Sequence, residues 1–189
     1  PDYTTTAEDT PLSVSALTGV LSNDFDLEGD AFTVTSIQIN GVTYPVGQTV
    51  SITGVGTIVI QSDGAYTFTP ATDFNGLTPL IYYTATDIHG DSNVDELVIV
   101  VTPVNDNPVA RQDTPSTPED APVDGNVLDN DSDVDGDAFE VIQFIINGLG
   151  HNSGETVSLA EGDLTLNPDG SYFFIPAPDF NGSVPVVYY

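Results

Sequence analysis

Residues 63–70 read DGAYTFTP, and residues 169–176 read DGSYFFIP. In each segment an Asp-Gly pair supplies the positive backbone angles of a tight turn, and the residues that follow are aromatic and β-branched. Alternation of side-chain character along such a run is typical of a β-strand with one buried face. The two segments therefore predict the same turn and strand twice, 106 residues apart.

The repetition extends over most of the chain. The tetrapeptide DFNG occurs at residues 73–76 and again at 179–182, and VLSND at 20–24 is echoed by VLDND at 127–131. No helical period of comparable strength accompanies these motifs. About seven short strands per copy, with turns every 8 to 12 residues, are typical of an immunoglobulin-like Greek-key sandwich. We therefore predict an all-β protein built from two tandem β-sandwiches.

A segment with two prolines separates the copies and reads TPVNDNPV. Proline restricts the backbone and cannot donate to a sheet, so a short, semi-rigid linker is expected. We place the first repeat at residues 1–104, the linker at 105–108 and the second repeat at 109–189. The first copy continues through two more strand segments than the second. We therefore expect the second repeat to be truncated before its last strands, unless a strand from another chain completes its sheet.

Composition excludes several classes of function. The chain has 29 acidic residues and one basic residue, Arg111, which gives a formal net charge of −28. Such a surface repels phosphate, so nucleic acid is excluded as a partner. The absence of cysteine excludes disulfides, cysteine–zinc sites and thiol catalysis. No apolar run approaches the roughly 18 residues of a membrane helix, so membrane insertion is not expected.

The acidic residues concentrate in loops that immunoglobulin-like connectivity brings to the two ends of a sandwich. We call these ends the entrance pole and the exit pole, after the direction of the chain. In the first repeat Glu8, Asp9 and Asp73 fall in turns at the exit pole, and in the second repeat the loop DSDVDGD at 131–137 falls at the entrance pole. The linker runs between them, so one junction is predicted to collect all of these acids.

Carboxylates packed this closely repel one another by about 1 to 4 kcal/mol per pair at 4 Å. A hard cation removes that cost. Calcium accepts six to eight oxygen ligands, and the spacing Asp-x-Asp-x-Asp-Gly matches a calcium loop, whereas magnesium needs stricter geometry and zinc prefers His or Cys. The predicted ligands at the junction are Glu8, Asp9, Asp73, Asn105, Asp106, Asn107, Asp131, Asp133, Asp135 and Asp137.

The first repeat carries an equivalent loop, NDFDLEGD at residues 23–30, with Glu in place of the third Asp. It predicts a second calcium site, to which Asp87 and Asp91 of a neighbouring loop either contribute or remain solvated. The alternative for any loop acid is a solvated surface position. The predicted ligands in this loop are Asp24, Asp26, Glu28 and Asp30.

The repeated motifs VLSND, DGAYTFTP and DFNG, together with the acidic loops, resemble the cadherin-like tandem repeats of giant bacterial surface proteins, including type I-secreted RTX adhesins. The linker VNDNP at residues 104–108 is similar to the Asn-Asp-Asn linker of cadherins. The resemblance implies structural extender repeats of a secreted adhesin at the bacterial cell surface, rigidified by calcium between domains. Its implied partners are neighbouring repeats of the same chain, with the adhesion target bound by other domains. The implied junction ligands are Glu8, Asp73, Asn105, Asp106, Asp131, Asp133 and Asp135.

Two other classes of function fit the sequence less well. A carbohydrate- or protein-binding module would need exposed aromatic residues, and the pairs Tyr82-Tyr83 and Tyr188-Tyr189 are the candidates, although one tyrosine of each pair is expected to pack into the core. An enzyme is not predicted, because the acids recur at the poles of both copies as structural sites do. His89 and His151 occupy unmatched loop positions and form no catalytic motif.

Overall fold

The computed structural model describes residues 1–189, which separate into two compact units, Pro1–Val104 and Asn105–Tyr189. Each unit is built from β-strands, and the one helical element is a short 3-10 turn at Ala16–Thr18. The predicted all-β class is therefore confirmed. The second unit begins at the first linker residue, and Val109 pairs with Ser132 in an isolated β-bridge within it.

Ten strands form the first unit. One sheet has the order β1-β10-β9-β3-β4, with β8 paired to β10, and the other has the order β2-β7-β6-β5. The strands are β1 (Asp2–Ala7), β2 (Leu12–Val14), β3 (Phe32–Ile39), β4 (Val42–Pro45), β5 (Val50–Ile52), β6 (Gly56–Ile60), β7 (Tyr66–Pro70), β8 (Gly76–Leu77), β9 (Ile81–Asp87) and β10 (Ser92–Thr102).

The core of the first unit lies between these two sheets. The motif at residues 63–70 forms the predicted turn and strand: Gly64 has φ of 84°, and every second residue of β7 is buried. Strand β10 contributes Leu97, Ile99 and Val101 from the opposite sheet, all essentially inaccessible to solvent. Alternate burial on facing sheets is what a sandwich core requires.

Seven strands form the second unit. One sheet has the order β11-β16-β15-β14, and the other has the order β13-β12-β17. The strands are β11 (Val123–Asn126), β12 (Gln143–Ile146), β13 (Leu149–Asn152), β14 (Thr156–Leu159), β15 (Gly162–Leu166), β16 (Ser171–Pro176) and β17 (Val187–Tyr188).

The sequence repeat is also a repeat of strand register. Leu12 lies opposite Phe68 in the first unit, and Val123 lies opposite Phe174 in the second. Strand β17 is the counterpart of β9, since it pairs with β12 as β9 pairs with β3. Residues 113–118, which correspond to β1, belong to no strand. Strand β1 pairs only with β10, and residues 105–189 form no strand in the position of β10.

Candidate metal sites in the acidic loops

Glu8 occupies the exit pole of the first unit, and its side chain is only 3% exposed. Its carboxylate accepts hydrogen bonds from the backbone N–H of Val104 and, at 3.1 Å, from Asn75 Nδ2. The Glu8 backbone N–H in turn donates to Thr102 O at 2.9 Å. Since a buried carboxylate is unfavourable without such donors, these contacts hold the segment after β10 against the turn after β1.

Asp9 and Asp73 lie beside Glu8 in two facing turns. Both have left-handed backbone angles, with φ of 55° and 57°, which Asp tolerates better than most residues. The Asp73 backbone N–H donates to Asp9 Oδ1 at 3.3 Å, and both side chains are exposed. The first unit thus brings together the three acids that the sequence assigned to its exit pole.

The second unit builds the same pair of turns from residues that were not among the predicted calcium ligands. Asp120 and Asp179 have φ of 63° and 58°, and the Asp179 backbone N–H donates to Asp120 Oδ1 at 2.9 Å. Glu119 precedes them in the position of Glu8 but is exposed. The repeated Glu-Asp and DFNG motifs contained the signal that could have found this second exit pole.

The loop at residues 131–137 is organised by one carboxylate. Asp133 Oδ1 accepts the backbone N–H groups of Asp135 at 3.0 Å and Asp137 at 3.2 Å, while Gly136 adopts φ of 77°. Asp131 Oδ1 accepts the backbone N–H of Arg111 at 2.7 Å. A side chain that closes the loop in this way gathers the acidic residues around one turn.

The linker residues fold onto this loop within the second unit. The Asp106 backbone N–H donates to Asp135 Oδ2 at 2.7 Å, and Val109 exchanges both backbone hydrogen bonds with Ser132. Asn105 Nδ2 donates to Asp106 O at 2.7 Å. The structure therefore brings Asp106 next to the predicted loop ligands, while Asn107 and Asp137 are exposed at its edge.

The loop at residues 23–30 in the first unit repeats this arrangement. Asp26 Oδ1 accepts the backbone N–H groups of Glu28 and Asp30, each at 2.9 Å. His89 Nε2 lies 3.3 Å from Asp30 Oδ2. Asp87 behaves differently, because its Oδ1 accepts three backbone N–H groups of its own turn. Asp87 therefore stabilises the turn between β9 and β10.

Asp24, in the same loop, also contacts a tyrosine. The Tyr83 hydroxyl lies 3.0 Å from Asp24 Oδ2, 2.9 Å from Asp2 Oδ2 and 2.8 Å from Val20 O. A hydroxyl has one proton, so it cannot satisfy both carboxylates at once. Burial raises the pKa of both the Asp2 and the Asp24 carboxyl groups, and the Tyr83 hydroxyl acts in the opposite direction.

The second unit contains the same tyrosine contact. The Tyr189 hydroxyl lies 3.0 Å from Asp113 Oδ2, 3.0 Å from Val127 O and 3.1 Å from Arg111 O. Burial raises the pKa of the Tyr189 hydroxyl, as it does for Tyr83. These tyrosines face the interior, which leaves the exposed Tyr188 as the outward member of its pair.

A family model that matches each of the two units establishes the family of the chain. A model of the bacterial cadherin-like domain matches residues 1–103 and again residues 105–189. The chain belongs to the bacterial cadherin-like domain family. The resemblance to cadherin-like repeats is confirmed at this level. Cadherin-like domains are typically extracellular and non-enzymatic. Membership of this family suggests that the chain is an adhesion or structural repeat module.

Several solved structures are similar to these cadherin-like domains. The human desmocollin-1 ectodomain has 13% identity and a TM-score of 0.40, over 97% of this chain and 31% of that one. The Bacteroides ovatus mixed-linkage glucan utilization locus protein SGBP-B, solved with a mixed-linkage heptasaccharide, has 14% identity and a TM-score of 0.31, over 98% and 38%. The titin domains z1z2, solved with telethonin, have 16% identity and a TM-score of 0.32, over 98% and 88%.

The chain thus spans 31% of the desmocollin-1 structure and 38% of the SGBP-B structure. No curated protein matches it. None of its helical residues forms a segment long and apolar enough to cross a membrane.

Proposed function

We propose that the chain is a pair of structural extender repeats of a secreted bacterial surface adhesin, and that calcium bound where the two repeats join makes the pair rigid. Its partners would be the neighbouring repeats, while other domains bind the adhesion target. The observation that carries the proposal is the hydrogen bond from the Asp106 backbone to the Asp135 carboxylate, because it folds the linker onto a loop of calcium-ligand spacing.

The negative charge of the loop at residues 131–137 supports the binding of a metal ion. Asp131, Asp133, Asp135 and Asp137 lie within seven residues, and the chain has no lysine and a single arginine to offset them. The neighbouring donors are backbone N–H groups, which reduce the repulsion among carboxylates without supplying a full charge. A cation from solvent is then the available means of neutralisation, and an all-oxygen donor set suits calcium.

The short covalent connection between the two units supports a calcium site with ligands from both of them. Glu8 binds the backbone of Val104, the last residue of the first unit, and Asp135 binds the backbone of Asp106. Only Asn105 separates these two anchored residues, so a cation can draw on both sets of acids without closing a long loop. The proposed ligands of this site are Glu8, Asp9, Asp73, Asn105, Asp106, Asn107, Asp131, Asp133, Asp135 and Asp137.

The loop at residues 23–30 is proposed as a further calcium site. Asp26 organises it as Asp133 organises the other loop, and Glu28 and Asp30 supply carboxylates around the same turn. Asp24 shares its carboxylate with the Tyr83 hydroxyl, so we propose that it binds the ion through its other oxygen.

Calcium at such sites would act as an environmental signal. Calcium modules of extracellular proteins typically bind with dissociation constants of about 10⁻⁴ to 10⁻³ M, so millimolar calcium outside a cell fills them and cytoplasmic calcium does not. Free calcium at ten times the dissociation constant of such a site stabilises the ordered state by about 1.4 kcal/mol. The repeats would therefore become stiff only after export.

The mechanical claim is tested by small-angle scattering with and without calcium. We expect 2 mM calcium, about the concentration that extracellular sites require, to narrow the distribution of radii of gyration relative to EDTA, and magnesium to leave it unchanged. Asp135→Asn should abolish the narrowing, whereas Asp163→Asn, an exposed acid on β15, should not. Scattering that is the same in calcium and EDTA would overturn the proposal.

A further inference from the structure

The DFNG motif is followed by a different residue in each repeat. Residues 73–77 read DFNGL, whereas residues 179–183 read DFNGS. Only the second copy of the motif therefore contains Asn-x-Ser, the acceptor sequence for transfer of a sugar to an asparagine side chain. The change of one residue gives Asn181 a chemistry that its counterpart Asn75 lacks.

The side chains of this acceptor sequence lie on the surface of the second unit. Asn181 and Ser183 are both exposed, and Gly182 between them has no side chain. The equivalent residues of the first unit, Asn75 and Leu77, are exposed as well, although Leu77 pairs with β10 there. Exposure is therefore a property of this turn, whether or not a strand lies beside it. A glycosylated asparagine needs such a position, because the sugar is bulky and strongly hydrated.

The amide group of Asn181 is held weakly. Its Nδ2 donates to Asp179 O at 3.4 Å, which is longer than the usual limit of about 3.2 Å for such a bond. Asn75 Nδ2 instead donates at 3.1 Å to the buried carboxylate of Glu8. The amide nitrogen must be presented to an enzyme before it can receive a sugar. The second unit presents this nitrogen, whereas the first unit uses it to satisfy Glu8.

A second Asn-x-Ser sequence lies in the acidic loop, where its surroundings differ. It consists of Asn130, Asp131 and Ser132. Asn130 Nδ2 donates to Gln112 O at 3.2 Å, and the Ser132 backbone exchanges two hydrogen bonds with Val109. This pairing fixes both ends of the sequence against the preceding segment and withholds it from an enzyme. We therefore expect Asn130 to remain unmodified.

We propose that Asn181 is an N-glycosylation site. The donor is a sugar whose anomeric carbon is bonded to a phosphate group, which is carried by a lipid or by a nucleotide. The Asn181 amide nitrogen forms a bond to that carbon while the bond from the carbon to the phosphate oxygen breaks. The phosphate leaves with the electron pair, and the nitrogen loses one proton. Ser183 supplies the hydroxyl that the acceptor sequence requires two residues after the asparagine.

Mass spectrometry of the chain isolated from the bacterium that produces it tests the proposal. A protease that cleaves before aspartate releases a peptide that begins at Asp179 and another that spans residues 73–86. The first should be heavier by one or more sugar residues, with fragment ions that place the added mass on Asn181. The peptide of residues 73–86 is the matched control and should have its unmodified mass. Asn130, in a peptide released by cleavage after Leu128, should also be unmodified.

Substitutions distinguish a sugar on Asn181 from a sugar on Ser183. Asn181→Gln and Ser183→Ala should each abolish the added mass, whereas Ser183→Thr should retain it because threonine also provides the hydroxyl. Added mass that survives Asn181→Gln would place the sugar elsewhere and overturn the proposal. A peptide from residue 179 onward that carries no sugar in the native chain would overturn it as well.

The two kinds of donor are distinguished by comparing the cytoplasmic and exported pools of the chain. A nucleotide-linked sugar modifies the chain in the cytoplasm, whereas a sugar on the cytoplasmic pool is not expected from a lipid-linked donor that acts during export. The proposal is independent of calcium, since Asn181 is not among the proposed ligands. Asn181→Gln should therefore bind calcium as the parent does, and failure of either proposal leaves the other standing.

Discussion

Glu8 and Glu119 occupy the same position in the repeat but differ in environment, since Glu8 is buried and Glu119 is exposed. The turns that follow them are alike, because Asp9 bonds to Asp73 as Asp120 bonds to Asp179. The difference comes from the segment after β10, whose Val104 backbone lies on Glu8 in the first unit. The turn is therefore a local product of its own sequence, and the burial of its glutamate requires the strand that ends beside it.

The largest expected effect comes from weakening β10, which distinguishes the two units. Ile99 is fully buried in the first unit, so Ile99→Ala should lower the free energy of unfolding of that unit by about 2 to 5 kcal/mol through lost burial and a residual cavity. Urea unfolding of the whole chain measures the change. The control is Val94→Ala on the same strand, where the side chain is 56% exposed. An equal loss for both variants would show that β10 does not form the core as described.

A smaller effect on the free energy of unfolding is expected to distinguish substitution of Glu8 from substitution of Glu119. Glu8→Gln places an amide where both existing partners, Val104 N–H and Asn75 Nδ2, are donors, so we expect a loss of about 1 to 3 kcal/mol. Glu119→Gln at the exposed equivalent should change stability by less than about 0.5 kcal/mol. Thermal unfolding in EDTA compares the variants free of any metal effect. Similar losses for the pair would contradict the difference in burial.

The smallest effect concerns the two carboxylates at Tyr83. Because burial raises the pKa of Asp2 and Asp24, their ionised forms destabilise the folded state above that raised pKa. This destabilisation is relieved as pH falls from neutrality through the raised pKa towards the usual value of about 4. In EDTA, Asp2→Asn should therefore flatten the pH dependence of the melting temperature in that window. Asp163→Asn, an exposed acid, should leave its slope unchanged, and a slope unaffected by Asp2→Asn would refute the coupling.

Much of this architecture could be predicted from local sequence. Asp-Gly turns, alternating strands and an Asp-x-Asp-x-Asp-Gly loop depend on neighbouring residues, so their spacing indicates their structure. The side-chain contacts of Glu8 and Asp2 are not local. Glu8 meets Asn75 across 67 residues, and Tyr83 meets Asp2 across 81, and no spacing rule in a single sequence connects such positions. Glu119, Asp120 and Asp179 are different, because alignment of the two repeats predicts them directly.

The central claim is that the acidic loops bind calcium, and calorimetric titration of the metal-free chain with calcium tests it most directly. We predict saturable binding with dissociation constants of about 10⁻⁴ to 10⁻³ M. Asp135→Asn should weaken the site at residues 131–137 at least tenfold, by about 1.4 kcal/mol, while Asp163→Asn should bind as the parent does. No saturable binding, or binding that Asp135→Asn leaves unchanged, would contradict the account.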